Sequence, residues 1–368
     1  MLTRRTTLAQ FLIEEQRCHE GSTGGFNSLV LDVALACKSI SQRVSRGTLD
    51  VDPNDPTDDG EGSEGGERPA TGHRLGNAFQ ATANEVFLRA TEWDGNLAGT
   101  VSEQMDAPRP VPDNYSSGNY LLVFNALDGA ANLDVGATVG SIFSILRTPR
   151  PGETVRDEDF LQAGTEQVAA GYAIYGPATM LVITVGRGVQ GFTLDTTIGE
   201  FILTHPDMRI PGGASEFAIN HSARRFWEPA VRRYVDECLA GETGPRERDF
   251  EMRWVASLVA EAHHILIQGG VFLYPRDEED SDRFGHLRLL YEANPIAFLI
   301  EQAGGWASTG RGRVLDIEAT SIHQGIPFLF GERSEIELIE DYHADLYDVG
   351  GSPTEMPLYA ARGLFRIY

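Results

Sequence analysis

The chain has 368 residues, of which 41% are apolar and 23% are charged. This composition excludes a disordered, collagen-like or disulfide-scaffold protein, and the length suits one large or two medium domains. With 54 acidic and 30 basic residues the net charge is −24, which argues against nonspecific binding to nucleic acid or anionic membranes. Three cysteines without a CxxC spacing predict free thiols in a reducing, cytoplasmic environment.

Two helices are predicted near the N-terminus. Leu8, Phe11 and Leu12 share one helical face, and apolar residues recur at helical spacing from Leu29 to Ile40. The first apolar patch is too short, and too soon followed by acids, for a signal peptide or a membrane span. Residues 50–69 then carry eight acids with many Gly and Pro. They predict a solvated loop, and a metal-binding role for it stays open.

Strand and helix patterns alternate beyond this loop, which predicts a layered α/β architecture. Helices are expected at 77–91, 229–239, 254–267 and 295–303, and strands at 120–124, 139–146, 168–175, 180–185, 191–194, 271–274 and 288–291. Asn294 and Pro295 are expected to cap and open the last of these helices. We expect an N-terminal α/β domain at 1–207, a C-terminal α/β domain at 208–343 and an extension at 344–368.

Acidic residues stand where predicted elements end. The strand in 120–128 runs into the turn Asp128-Gly129, where a carboxylate can hold a hard cation and the following N–H groups can cradle a phosphate. Glu103 lies at the end of another predicted strand, and Glu292 lies just before the 295–303 helix. These three carboxylates could converge on one metal ion, although solitary exposed acids are common.

Long motifs follow one another through the chain in a consistent order. They include YLLVFNALDGAANLD (120–134), GFTLDTTIGEF (191–201), RDFEMRWVASLVAE (248–261), GGVFLYP (269–275) and LRLLYEANPIAF (287–298). With these motifs the sequence resembles the class I fructose-1,6-bisphosphatases of bacterial type. The resemblance implies a layered α-β-α-β-α sandwich, a cytoplasmic homotetramer, and Mg²⁺-dependent hydrolysis of the C1 phosphate of fructose 1,6-bisphosphate.

The sequence departs from this family at several acidic positions. The family's FDPLDGSSN is here FNALDGAAN (124–132), so Asn125 replaces an acid that bridges metals, and Ala130 and Ala131 replace serines. The family's SEE is here Ser102-Glu103-Gln104, and Gln80 stands where the family has an Asp. Glu103, Asp128 and Glu292 are unchanged.

These amides weaken the expected chemistry. Mg²⁺ prefers carboxylates, and amides neither hold several dications together nor accept a proton. We therefore expect a single Mg²⁺ ion on the three retained acids, or none. The same acids are the candidate catalytic residues, and Gln80, Gln104 and Asn125 are weaker candidates.

The resemblance also implies a set of sugar-phosphate-binding residues. Arg253 would reach the 6-phosphate bound to a neighbouring subunit, and His286 replaces a family lysine by a weaker, pH-dependent cation. The full set is Gly129, Asn220, Arg253, Trp254, Tyr274, His286 and Arg288.

Three hypotheses follow. The first is a fructose-1,6-bisphosphatase-like protein that binds a sugar phosphate but whose standard hydrolysis is lost, weak or repurposed. The second is an active class I fructose-1,6-bisphosphatase with a reduced metal set. The third is a noncatalytic regulatory subunit.

Overall fold

The computed structural model describes residues 5–17, 24–50, 74–276 and 287–348. The acidic insert from residue 51 onward, His286 and nearly all of the proposed C-terminal extension lie outside these ranges. The helices are α1 (Leu8–Arg17), α2 (Gly24–Arg46), α3 (Arg74–Thr91), α4 (Asp157–Phe160), α5 (Pro229–Leu239), α6 (Leu258–Gln268), α7 (Asn294–Gln302) and α8 (Arg333–Asp348). None of them is long and apolar enough to cross a membrane.

Eight strands form the larger sheet. They are β1 (Leu97–Ser102), β2 (Arg109–Pro110), β3 (Tyr120–Asp128), β4 (Val139–Arg147), β5 (Ala169–Tyr175), β6 (Thr179–Thr184), β7 (Val189–Asp195) and β8 (Glu200–Met208). Their spatial order is β2-β1-β3-β4-β5-β6-β7-β8. Only β1 and β3 pair in parallel, and the other neighbours are antiparallel.

A smaller mixed sheet follows in the C-terminal half. Its strands are β9 (Glu216–Ile219), β10 (Glu251–Arg253), β11 (Val271–Tyr274), β13 (Trp306–Ser308) and β15 (Phe328–Gly331), in the order β10-β9-β11-β15-β13. A separate pair joins β12 (Leu287–Arg288) to β14 (Gly325–Ile326).

Three apolar clusters show how the layers stack. Leu122 and Phe124 of β3 face helices α1–α3, while Leu121 and Val123 of the same strand face the cluster that holds α6 and α7. That middle cluster also contains Phe272 of β11, so both sheets contribute to it. A third cluster packs α5 and α8 on the far face of the smaller sheet. The order is therefore helices, sheet, helices, sheet, helices, which confirms the predicted α-β-α-β-α sandwich.

Most predicted elements are present, and the differences are local. The strand predicted at 120–124 continues to Asp128, and β8 was not predicted. The helix predicted from Trp254 begins only at Leu258, because Ala256 has a positive φ of 58° and Ser257 caps the helix.

The predicted strand at 288–291 is wrong beyond Arg288. Residues 289–293 instead form a π-helical turn that leads directly into α7. Asn294 is consequently helical itself, and the N-cap position falls on Ala293. Glu292 thus lies within helical backbone, where it is buried.

Cys37 and Cys238 are free, buried thiols, as predicted. Cys18 lies outside the described ranges. Burial raises the pKa of both described thiols to about 12, so they behave as small apolar side chains.

Candidate active site

A β-bulge at the end of β3 sets the position of Asp128. Asn125 pairs with Ile142 and Asp128 with Gly140, so β3 contains one more residue than β4 over this interval. The Leu127 N–H donates to Oδ1 of Asn125 at 3.1 Å, and the Ser141 hydroxyl donates to the Ala126 carbonyl at 2.6 Å. The irregular backbone is therefore satisfied by side chains rather than by the strand ladder.

Asp128 lies against the N-terminus of α6. Its Oδ2 accepts hydrogen bonds from the Ser257 hydroxyl at 2.6 Å and from the Val259 N–H at 2.9 Å. Burial raises the pKa of Asp128, and these bonds to the charged form oppose that rise. The two halves of the chain are thus joined at this carboxylate.

Gly129 is required by the turn that follows. Its φ is 71°, a left-handed conformation, and a Cβ there would lie 2.8 Å from Cβ of Ser257. A larger residue would both strain the turn and push the α6 terminus away from Asp128.

Glu103 and Glu292 approach the same region from two other elements. Glu103 directly follows β1, and its N–H donates to the Phe124 carbonyl at 3.3 Å. Glu292 is buried in the π-helical turn, where its Oε2 accepts from the Arg288 N–H at 2.7 Å and its Oε1 accepts from Nδ2 of Asn125 at 3.4 Å.

The charges of the three acids act on one another. Burial raises the pKa of Glu103, the charge of Asp128 raises it further, and Arg288 lowers it. Burial raises the pKa of Glu292 well above its usual range, the charges of Glu103 and Asp128 add to this, and Arg288 opposes them. The structure therefore brings together the carboxylates that the sequence analysis singled out, in an environment with excess negative charge.

The amides of the sequence analysis divide into two groups. Asn125 is buried within this carboxylate cluster and contacts Glu292. Gln104 is exposed, and Gln80 is half-buried on α3; within the described part of the chain, no hydrogen bond joins either side chain to the three acids. Ala130 and Ala131 open the 3₁₀ turn Ala130–Val135, and the backbone of α3 at Gly76 packs closely on Ala130.

The donor set fits a hard divalent cation. Carboxylate oxygens are the ligands that Mg²⁺ prefers, and a cation would offset both the burial and the repulsion by Glu103 that raise the pKa of Glu292. Among the residues described, no three His, Cys, Asp or Glu side chains already stand close enough together to hold an ion. Cation binding would thus require these carboxylates to move closer together.

The predicted substrate residues lie in three places. Asn220 and Tyr274 line a cleft of about 220 Å³ beside the smaller sheet. Arg288 belongs with the carboxylates, and its guanidinium donates to the His323 carbonyl at 2.7 Å. Arg253 is exposed and pairs with Glu216 at 2.7 Å, while Trp254 stacks on Phe272, which in turn stacks on Tyr274.

Sequence reasoning missed two contributors. Ser257 holds Asp128 across 129 positions of sequence, and no local pattern signals such a contact. Arg276 lines the same cleft as Asn220 and Tyr274. The available signal was its position two residues after the predicted strand at 271–274.

Comparisons with known proteins agree with this fold and site. A family model described as "Fructose-1-6-bisphosphatase, N-terminal domain" matches residues 6–206, and one described as "Fructose-1-6-bisphosphatase, C-terminal domain" matches residues 210–344. The chain is 55% identical to "Fructose-1,6-bisphosphatase class 1" of Hydrogenophilus thermoluteolus over 360 residues, covering 98% of this chain and 97% of the relative. It is also 55% identical to "Fructose-1,6-bisphosphatase class 1 3" of Methylibium petroleiphilum over 361 residues, covering 98% of each chain.

Solved structures give the same result. The holo form of Leishmania major fructose-1,6-bisphosphatase aligns with a TM-score of 0.79 and 33% identity, over 92% of this chain and 99% of that one. Its apo form aligns with a TM-score of 0.79 and 32% identity, over 93% of this chain and 100% of that one.

The layered fold, with buried acids where β1 and β3 end, is therefore that of a sugar phosphatase. The chain belongs to the fructose-1,6-bisphosphatase family. Its similarity to class 1 enzymes favours the second hypothesis, an active enzyme, over the first expectation that hydrolysis is lost.

Proposed function

We propose that the protein is an active class 1 fructose-1,6-bisphosphatase that works with a reduced metal set. The observation that carries this proposal is the electrostatic coupling of Glu103, Asp128 and Glu292 at one negatively charged position, where Asp128 and Glu292 are buried and Glu103 is half-buried. A buried group of like charges is costly to fold, and it is explained if a cation completes it.

These three acids would hold Mg²⁺. When bound, the ion would supply charge neutralisation to the phosphate and would lower the pKa of a water molecule. Glu292 is held by the Arg288 N–H, and Asp128 is held at the α6 terminus, so the chain keeps both acids near the proposed site, and their carboxylates would move closer together when an ion binds. Gly129 and the N–H groups of the turn after it would face the C1 phosphate.

Proton transfer is the weaker part of this site. Gln104 and Asn125 cannot accept a proton, so the three acids are the remaining candidates for a general base. We expect a slower enzyme than one with a full set of acids, by on the order of 10²–10⁴ if general-base assistance is lost entirely.

The substrate, assembly and location complete the proposal. Asn220 and Tyr274 would contact the sugar phosphate, with Trp254, Arg288 and His286 as further candidates and Arg253 acting across a subunit boundary. The family resemblance supports a cytoplasmic homotetramer. We propose that each chain consists of an N-terminal domain at 1–207, a C-terminal domain at 208–343 and an extension at 344–368.

Phosphate release from fructose 1,6-bisphosphate tests the proposal. With Mg²⁺ or Mn²⁺ the wild-type chain should release phosphate in a saturable manner, and Glu103→Gln or Asp128→Asn should reduce the rate by ~10²-fold or more, since each loses a cation ligand. Glu153→Gln is the matched control, because the Glu153 side chain is 57% exposed and pairs with Arg150, which has no proposed part in the site, and it should keep the parent rate.

The opposite outcome is equally informative. Wild-type protein that binds the bisphosphate in calorimetry but releases no phosphate above background would restore the hypothesis of lost hydrolysis. Wild-type activity that survives both substitutions would show that the reaction takes place elsewhere.

A further inference from the structure

The cleft beside the smaller sheet has one charged wall. Among the described residues that line it, Ile219, Ala223, Phe226, Trp227, Leu273, Tyr274 and Pro275 are apolar or aromatic, Asn220 is polar, and Arg276 is the cation. Its volume of about 220 Å³ is somewhat below the ~300–1,000 Å³ of most small-molecule pockets. The cleft is thus suited to one end of a small ligand that carries negative charge.

The remaining walls of this cleft are fixed in place. Oδ1 of Asn220 accepts from the N–H of Ser222 at 3.2 Å and from its hydroxyl at 2.6 Å, which fixes the side chain with its amide N–H groups as the end available to a ligand. The Tyr274 ring stacks on Phe272 at 6.3 Å, and Trp227 is buried against His221. Such preformed walls leave a ligand little to reorganise.

Charge is the deciding feature. A protein with a net charge of −24 repels a bisphosphate at long range, so an anion needs a local cation wherever it is bound. A guanidinium can bind a phosphate with two parallel hydrogen bonds, and the aromatic walls exclude the water that would weaken them. Pro275 fixes one backbone torsion between Tyr274 and Arg276.

We propose that Arg276 is a specificity-determining residue that binds the second phosphate of the substrate, the one that is not hydrolysed. This inference rests on the proposed function, and it adds a residue that the resemblance does not assign. It gives the cleft a cation that carries its charge at every working pH, whereas His286, a sugar-phosphate candidate by resemblance, is a pH-dependent cation.

Two substrates separate this role from a general effect of charge. Fructose 1,6-bisphosphate and fructose 1-phosphate share the C1 phosphate, and only the first has the group that Arg276 would bind. Arg276→Gln should raise the KM for the bisphosphate by about 10–100-fold, as expected for a lost charge-assisted contact, and should leave kcat within about twofold. The KM for fructose 1-phosphate should not change.

Two further variants sharpen the test. Arg276→Lys should recover part of the bisphosphate KM, because it restores the charge without the paired donors. Arg187→Gln makes the same charge change on an exposed turn of the larger sheet, and it should leave both KM values unchanged. Melting temperatures within about 2 °C of the parent would show that the variants are folded.

The outcomes distinguish this inference from the proposed function. If wild-type protein hydrolyses the bisphosphate and Arg276→Gln changes its KM by less than threefold, or changes both substrates equally, Arg276 does not have this role. If wild-type protein hydrolyses neither sugar, the proposed function fails. Calorimetry with fructose 1,6-bisphosphate then still tests the role of Arg276, since Arg276→Gln should weaken binding tenfold or more. Equal binding by the parent and the variant would overturn the inference.

Discussion

Asp32 shows how a single buried acid can shape the pH dependence of this protein. It lies on α2, 7% exposed, and its carboxyl is hydrogen-bonded to Asp94 of the loop between α3 and β1. Burial raises the pKa of Asp32 from its ordinary 3.8 to about 7, and the hydrogen bond and the charge of Asp94 add to the rise. The Asp94 carboxylate also accepts from the N–H of Asn96 at 2.9 Å, so the loop depends on this pair.

The sign of its effect on stability follows from proton linkage. Between about pH 4 and pH 7 the folded chain holds a proton on Asp32 that the unfolded chain has lost, so stability falls as the pH rises through this window. Asp32→Asn keeps a donor to Asp94 without a charge. At pH 8 it should be more stable than the parent by on the order of 1–3 kcal/mol, or about 2 °C or more in Tm, and at pH 4 the two should nearly coincide.

Thermal melting at several pH values checks this, with the exposed Asp113→Asn as the control for a change of net charge. A parallel shift of Asp32→Asn at every pH would mean that the Asp32–Asp94 proton does not control the stability of this region.

At the scale of elements, the bulge between β3 and β4 determines where Asp128 lies. Ser141 of β4 donates to the Ala126 carbonyl and shares a second hydrogen bond of 2.8 Å with the Tyr175 hydroxyl. Ser141 is wholly buried, and its hydroxyl supplies the Ala126 carbonyl with a hydrogen-bond donor where the strand ladder is interrupted. The bulge lies between Asn125 and Asp128, so its shape sets the direction in which Asp128 leaves the strand.

Removing this hydroxyl should therefore affect catalysis as well as stability. Ser141→Ala should lower kcat by about tenfold or more and raise the Mg²⁺ concentration needed for half-maximal activity, besides costing ~1–3 kcal/mol for the unsatisfied carbonyl. Ser141→Thr should recover both. Ser144→Ala removes an equally buried hydroxyl from the opposite face of β4 and should affect only stability.

Equal losses of kcat in the Ser141 and Ser144 variants would show that the bulge supports the fold but does not position Asp128 for catalysis. A change confined to Tm in Ser141→Ala would do the same.

The elements also show what the sequence could and could not predict. The run Leu121–Phe124 is apolar at every position because β3 is covered on both faces, and such a run is readily recognised as a strand. The turn at 289–293 was misassigned because an apolar run of that length suits a buried strand as well as a helix. Motifs located Glu103, Asp128 and Glu292, whereas the contact of Ser257 with Asp128 depends on tertiary packing alone.

At the scale of the whole molecule, the site lies where the two halves of the chain meet. Asp128 comes from the larger sheet, Ser257 from the start of α6, and Glu292 from the turn before α7. The middle cluster that supports them contains apolar residues of both sheets, so a change in either half is transmitted to the carboxylates through packing. This arrangement makes the activity sensitive to anything that loosens the sandwich.

Net charge is such a factor, since the 54 acids exceed the 30 basic residues by 24 and repel one another across the surface. Exposed ion pairs such as Arg253–Glu251 contribute only about 0–1 kcal/mol each, so the excess of acids decides how salt acts. The screening length falls from about 30 Å at 0.01 M to about 10 Å at 0.1 M and 3 Å at 1 M salt.

We therefore expect Tm to rise with KCl, with most of the gain reached by about 0.5 M because screening saturates. A Tm that stays flat or falls over that range would show that ion pairs, rather than repulsion, dominate the surface, whereas a linear rise continuing to 2 M would point to salt-enhanced apolar burial.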